Sequence, residues 1–105
     1  MAVAELTDEN FAAAVADGVV MVDFYGTYCP PCRLLEPVMD ELAAEYDGRA
    51  RLARINVDEH SEAAVANAVA DIPTIILYRG GTEVSRVFGA QARATLAAEL
   101  DRLLS

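Results

Sequence analysis

The sharpest feature of the hydrophobic pattern is Val19–Tyr25, VVMVDFY, a short β-branched run that is apolar on both faces. Such a run predicts a strand buried on both sides, as in a sheet covered by helices. One acid, Asp23, interrupts it. Downstream, Leu34, Leu35, Val38, Leu42 and Tyr46 recur at helical spacing. They predict a helix from about Pro31 to Tyr46, with Gly48 to close it. Pro37 lies inside and offers no N–H to the carbonyl of Arg33, so a kink is expected there.

Upstream, Thr7 is placed to cap a helix from about Asp8 to Asp17, ended by Gly18. Ala50–Val57 alternates as a second strand. Glu59–Ala70 reads as a helix with Val65 and Val69 inward. Thr74–Arg79 and Glu83–Phe88 read as strands joined around Gly80 and Gly81, a hairpin signal. Leu96, Leu100, Leu103 and Leu104 make the last helix amphipathic. Ala2–Glu5 carries a weaker strand pattern.

Alternation followed by a hairpin predicts an α/β fold with a mixed central sheet of four to five strands, flanked by about four helices. At 105 residues, 54% of them hydrophobic, residues 1–105 are expected to form a single domain with its own core. Repeats, linkers and low-complexity segments are not evident. A net charge of −9 argues against a nucleic-acid partner. All the basic residues are arginine. The N-terminal MAVAELTDENF has neither a basic nor an apolar signal region. The longest strongly apolar run is too short to span a bilayer. A cytoplasmic monomer without membrane contact is the expectation.

The chain has two cysteines, Cys29 and Cys32, spaced C-x-x-C where the buried strand meets the helix. A zinc site normally takes four ligands, and His60 is the only histidine. Two inert thiols are a second reading. A redox pair fits best, because this spacing beside a βαβ pattern points to thiol–disulfide chemistry. A sulfur at a helix N-terminus is stabilised as thiolate. Cys29, just ahead of the helix, is expected to be the exposed, attacking thiol. Cys32, one turn in, is expected to be more buried and to resolve the mixed disulfide.

The segment VDFYGTYCPPC resembles the motif of the thioredoxin family, in which VDFWA leads into WCGPC. LEPVMDELAAEY resembles the proline-kinked helix after that motif, and RINVDE the strand ending in N-x-D. DIPTIILYRGG resembles the family's cis-proline segment, and VFGA its active-site glycine. These motifs span nearly the whole chain and arrive in order.

The resemblance implies a thioredoxin fold and thioredoxin-type reduction of protein disulfides through a Cys29–Cys32 dithiol/disulfide cycle. It implies no prosthetic group and no metal. The partners it implies are disulfide-bearing proteins and a thioredoxin reductase or similar NADPH-linked flavoenzyme. Asp23 matches the family's buried acid, which helps deprotonate the second cysteine. Arg54 matches a lysine near that acid; being always protonated, it is expected to hold Asp23 ionised. Ile72, Pro73 and Thr74 match the cis-proline segment, which with Tyr28 and Gly89 is expected to receive substrate.

Tyr25, Tyr28, Pro30 and Arg54 depart from the family pattern. Tyr25 and Tyr28 replace tryptophans, so the ring remains while the hydrogen-bonding handle moves. Pro30 replaces the glycine between the cysteines, and Pro30 and Pro31 offer no N–H to a thiolate. Arg54 replaces the lysine. YCPPCRLLEP also resembles exported thiol reductants of the cytochrome c maturation type. Those carry a mid-domain insertion for which Val57–Pro73 leaves little room. Glutaredoxin-like use of glutathione fits less well, because VDFY and Asp23 match thioredoxin better. A redox-idle thioredoxin-fold binding module is the remaining alternative, against which the intact C-x-x-C counts.

Overall fold

A computed structural model describes residues 2–105. The elements are β1 (Ala4–Leu6), α1 (Phe11–Val15), β2 (Val19–Tyr25), α2 (Pro30–Glu45), β3 (Arg51–Asn56), α3 (Ser61–Ala66), β4 (Thr74–Arg79), β5 (Thr82–Phe88) and α4 (Arg93–Leu104). The strands form one sheet in the order β1-β3-β2-β4-β5. Both β1 and β2 run parallel to β3, whereas β4 is antiparallel to β2 and β5 to β4.

The period of a strand divides the core in two. Met21 of β2, with Leu52, Ile75 and Leu77, packs against Leu35, Met39 and Leu42 of α2 and Leu96 and Leu100 of α4. Val20, Val22 and Phe24 face the other way, with Ala53, Ile55, Ile76 and Tyr78, onto α1 and the alanines of α3. Because β2 is buried on both faces, its side chains are apolar throughout apart from Asp23. That acid points to the α2 side, together with Met21. Among the described residues, no helix is long and apolar enough to cross a membrane.

Several elements are shorter than the pattern suggests. Thr7 does not cap a long helix. Its N–H donates to Asn10 Oδ1 at 2.7 Å and its Oγ1 accepts from Asn10 N at 3.2 Å, which holds residues 7–10 as a turn and delays α1 to Phe11. Helix α3 covers only Ser61–Ala66. It is capped from outside, by Asp8, whose carboxylate accepts from Ala63 N at 2.9 Å and Glu62 N at 3.3 Å.

The inward stripe of α3 is Ala63 and Ala64; Val65 is 78% exposed, against expectation. Two alanines let the short helix sit close to the sheet, where a valine stripe would hold it away. Leu34 is likewise exposed, while Met39, outside the expected stripe, is fully buried. Pro37 sits within α2 without ending it. The β4–β5 turn places Gly80 and Gly81 at φ of +60° and +84°, conformations that a two-residue hairpin turn needs. Strand β1 lies at Ala4–Leu6 rather than Ala2–Glu5.

Candidate active site

The site forms where β2 ends and α2 begins. Cys29 is the N-cap of α2 in an extended conformation, and Pro30 and Pro31 fill the first helical positions. Proline suits them, since N–H groups there have no intrahelical partner. Cys29 and Cys32 are joined as a disulfide, with Cα atoms 5.2 Å apart. Cys32 N donates to Cys29 Sγ at 3.3 Å, one of the unpaired N–H groups of the helix start. Cys29 is less open than the sequence suggests: it is 6% exposed and Cys32 3%. In the disulfide each sulfur covers part of the other.

The loop ahead of Cys29 is fastened to the end of β3. Asp58 Oδ2 accepts from Thr27 N at 2.8 Å, Asn56 Nδ2 donates to Thr27 Oγ1 at 3.1 Å, and Asp58 N donates to Asn56 Oδ1 at 2.9 Å. Sequence reasoning missed the part Asn56 and Asp58 play. The signal was the N-x-D after the second strand. Gly26 was missed as well. A Cβ there would stand 2.4 Å from Ile72 Cδ1, 3.2 Å from Asp58 Oδ2 and 3.9 Å from Cys29 Cβ. Gly26 therefore lets the cysteine loop, Asp58 and the Ile72 segment converge.

The Ile72–Pro73 bond is cis. Pro73 is buried, and its carbonyl accepts from Gly89 N at 2.9 Å, which ties the end of β5 to this segment. Gly89 adopts a φ of +81° in doing so. Tyr28 stands almost free at 91% exposure, while Phe88 and Ile72 are partly exposed apolar neighbours on this side. Thr74 is fully buried, with Oγ1 donating to the Asp71 carbonyl, so only its backbone is placed to meet a substrate.

Beneath the disulfide lies a cavity of about 240 Å³ lined by Glu5, Asp23, Tyr25, Cys32, Glu36 and Arg54. Asp23 is 2% exposed, and its Oδ1 has no hydrogen-bond partner among the described residues. Burial pushes its pKa up from 3.8 to about 7; Arg54 opposes this, and Glu36 and Glu5 add to it.

Arg54 favours the ionised form of Asp23, as expected, but burial outweighs it. Asp23 and Arg54 are paired in register, but Arg54 Nε lies 3.1 Å from Glu5 Oε1. Its charge is largely matched by Glu5, so desolvation of Asp23 prevails. Tyr25 OH donates to the other Glu5 oxygen at 2.7 Å. Burial, and then that bond, push the Tyr25 pKa up to about 12. His60 is a half-buried residue whose Nδ1 accepts from Asp8 N at 3.4 Å, far from this chemistry.

The arrangement can form and break one disulfide while exchanging a proton through a carboxyl that titrates near neutrality. It matches what comparison with known proteins finds. The thioredoxin family's sequence profile matches residues 2–102. The thioredoxins of Staphylococcus haemolyticus and Staphylococcus aureus are each 41% identical to this chain over 104 residues, covering 99% of it and 100% of the relative.

Proposed function

The chain belongs to the thioredoxin family and is a thiol–disulfide oxidoreductase that reduces protein disulfides with its own cysteine pair, and we propose that Cys29 is the attacking thiol and Cys32 the resolving one. The Cys29 thiolate attacks one sulfur of a substrate disulfide and displaces the other as a thiolate. Cys32, deprotonated, then attacks Cys29, closes the Cys29–Cys32 disulfide and releases the second substrate thiol. The observation that carries this assignment is Cys29 Sγ at the cap of α2, accepting from Cys32 N. The positive end of the helix favours a thiolate at that place.

Asp23 takes the Cys32 proton in this reading, since both line one polar cavity. Substrate lies along Ile72 and Pro73, between Tyr28 and Gly89. Ile72 supports this role: its backbone makes no hydrogen bond among the described residues, while Pro73 is already bonded to Gly89. Such an edge accepts an extended peptide by main-chain pairing. Re-reduction falls to a thioredoxin reductase or similar NADPH-linked flavoenzyme, in the cytoplasm. The exported and redox-idle alternatives are not favoured, because the chain aligns over its length with thioredoxins.

Trapping tests the assignment. Cys32→Ser should accumulate mixed disulfides with substrate proteins through Cys29, and Cys29→Ser should accumulate none. Equal trapping by both variants would reverse or remove the division of roles.

A further inference from the structure

Three carboxylates reach the cavity beneath the disulfide, and they differ in freedom. Asp23 is sealed in the sheet. Glu5 is engaged at both oxygens, by Arg54 Nε at 3.1 Å and Tyr25 OH at 2.7 Å. Glu36 is exposed and makes no hydrogen bond or ion pair among the described residues. It stands on α2 four residues after Cys32, so the two side chains share a helix face. Together they form the α2 wall of the cavity; the sheet supplies Glu5 from β1, Arg54 from β3, and Asp23 and Tyr25 from β2. Glu36 also lines a second hollow of about 430 Å³, beside Tyr25, Gly26, Cys32 and Arg33.

We propose that Glu36 is the proton-carrying residue that connects Asp23 with solvent during turnover. The inference rests on the reading of Asp23 as the group that deprotonates Cys32. When Cys32 Sγ–H gives its proton to the Asp23 carboxylate, the resulting thiolate attacks Cys29 Sγ of the mixed disulfide. The Cys32–Cys29 bond forms, the Cys29–substrate bond breaks, and the electron pair leaves on the substrate sulfur. The Asp23 carboxyl must be empty to accept the Cys32 proton, so a proton already on it has to leave before collapse, just as the one taken from Cys32 has to leave after it. Water within the cavity can hand that proton to Glu36. The side chain is long, unpaired and open to solvent, and it carries the proton out. On re-reduction the same route returns a proton to Cys32. Removing the Glu36 charge also takes away one of the like charges that raise the Asp23 pKa.

The test is stopped-flow collapse of a mixed disulfide between Cys29 and a fluorescent peptide thiol, from about pH 6 to 9 in dilute buffer. The variants are Glu36→Gln, Asp23→Asn and the double variant. Glu36→Gln should slow collapse by roughly three- to tenfold, below the range of a directly positioned acid–base group. Added imidazole or formate should restore the rate, and the ¹³C titration of the Asp23 carboxyl should move to lower pH. The initial attack by Cys29 should be unchanged, and the double variant no slower than Asp23→Asn. Unchanged collapse in Glu36→Gln, with Asp23→Asn slow, would overturn the proposal. So would slowing that buffer does not rescue, or that adds to the Asp23→Asn effect. Unchanged collapse in Asp23→Asn would instead remove the reading of Asp23 on which it stands.

Discussion

Asp23 and Arg54 are paired in register on neighbouring parallel strands, yet the guanidinium is directed at Glu5, with Nε 3.1 Å from Glu5 Oε1. Glu5 is itself paired in register with Arg54 from the far side. The order Glu5, Arg54, Asp23 therefore runs across β1, β3 and β2, with the single positive charge in the middle. Glu5 is the exposed partner and Asp23 the buried one. Desolvation acts on the buried carboxylate, and Arg54 offsets only part of it.

This has a thermodynamic consequence. Folded, Asp23 keeps its proton up to about pH 7; unfolded, it releases it near 3.8. Between those values the folded state binds the extra proton, so stability falls as pH rises. The contribution is fully present below the unfolded value and is lost as pH rises through the folded one. Asp23→Asn removes the slope. At pH 8 it should stabilise the protein by about 2–4 kcal/mol, since one pH unit corresponds to roughly 1.4 kcal/mol. Arg54 keeps Glu5 and is not orphaned. Denaturant titrations at pH 5 and pH 8 should show the advantage of the variant growing with pH. A difference independent of pH would contradict the placement of Asp23.

What the sequence made legible follows from local physics. VVMVDFY had to be a doubly buried strand, because neither face carries polar residues apart from Asp23. Cys29 and Cys32 fell at a strand–helix junction, where thiolate chemistry is favoured. The partner of Arg54 was not legible, because it depends on β1 lying beside β3 in register at Glu5. The capping of α3 by Asp8 was hidden in the same way, across more than fifty residues of chain. Periodicity also failed for Val65, since a six-residue helix has too few turns for its apolar stripe to be read reliably.

Ala68 gives a simple stability test. Its φ of +54° is left-handed, which costs a residue with a Cβ roughly 1–2 kcal/mol, against roughly 0.5–1 for ordering a glycine. The conformation lets Arg86 hold the end of α3, with Nη2 2.6 Å from the Asn67 carbonyl and Nη1 3.1 Å from that of Ala68. The Ala68 side chain is exposed, so little packing is lost. Ala68→Gly should stabilise the fold by up to about 1 kcal/mol in denaturant titrations. Destabilisation would show that the turn does not need the left-handed conformation.

Tyr46 tests how α2 is joined to α4. It is 1% exposed, and its hydroxyl donates to Asp101 Oδ1 at 2.6 Å. A hydrogen bond to a charged acceptor is worth about 1.5–3 kcal/mol, and Asp101 can recover part of that from water. Tyr46→Phe should lower unfolding free energy by about 1–2 kcal/mol. Disulfide reductase activity should be unaffected, because the bond lies at the far end of α2 from the cysteines. A fall in turnover at unchanged fold would mean that α2 transmits the change to its N-terminus.

Gly26 separates activity from stability. A methyl group there would fall 2.4 Å from Ile72 Cδ1 and 3.2 Å from Asp58 Oδ2. Ile72 Cδ1 is the end of a flexible chain that is 36% exposed, so it can swing outward at little cost. Asp58 is less free, because its Oδ2 holds Thr27 N at 2.8 Å. Gly26→Ala should therefore lower stability by only about 1 kcal/mol, the low end for overpacking. Displacing Ile72 moves the surface beside Cys29, and misplacement by about 1 Å can cost up to 10²-fold in rate. A roughly tenfold loss of insulin-disulfide reduction is expected in a protein that still folds. The control is Ile72→Ala, alone and combined with Gly26→Ala, each measured by denaturant titration. If Ile72 is the obstacle, Gly26→Ala should cost less stability once Ile72 is truncated, because contacting residues are not additive. Strict additivity would place the obstruction at Asp58, and the loss of activity would then come from loosening the Thr27 loop.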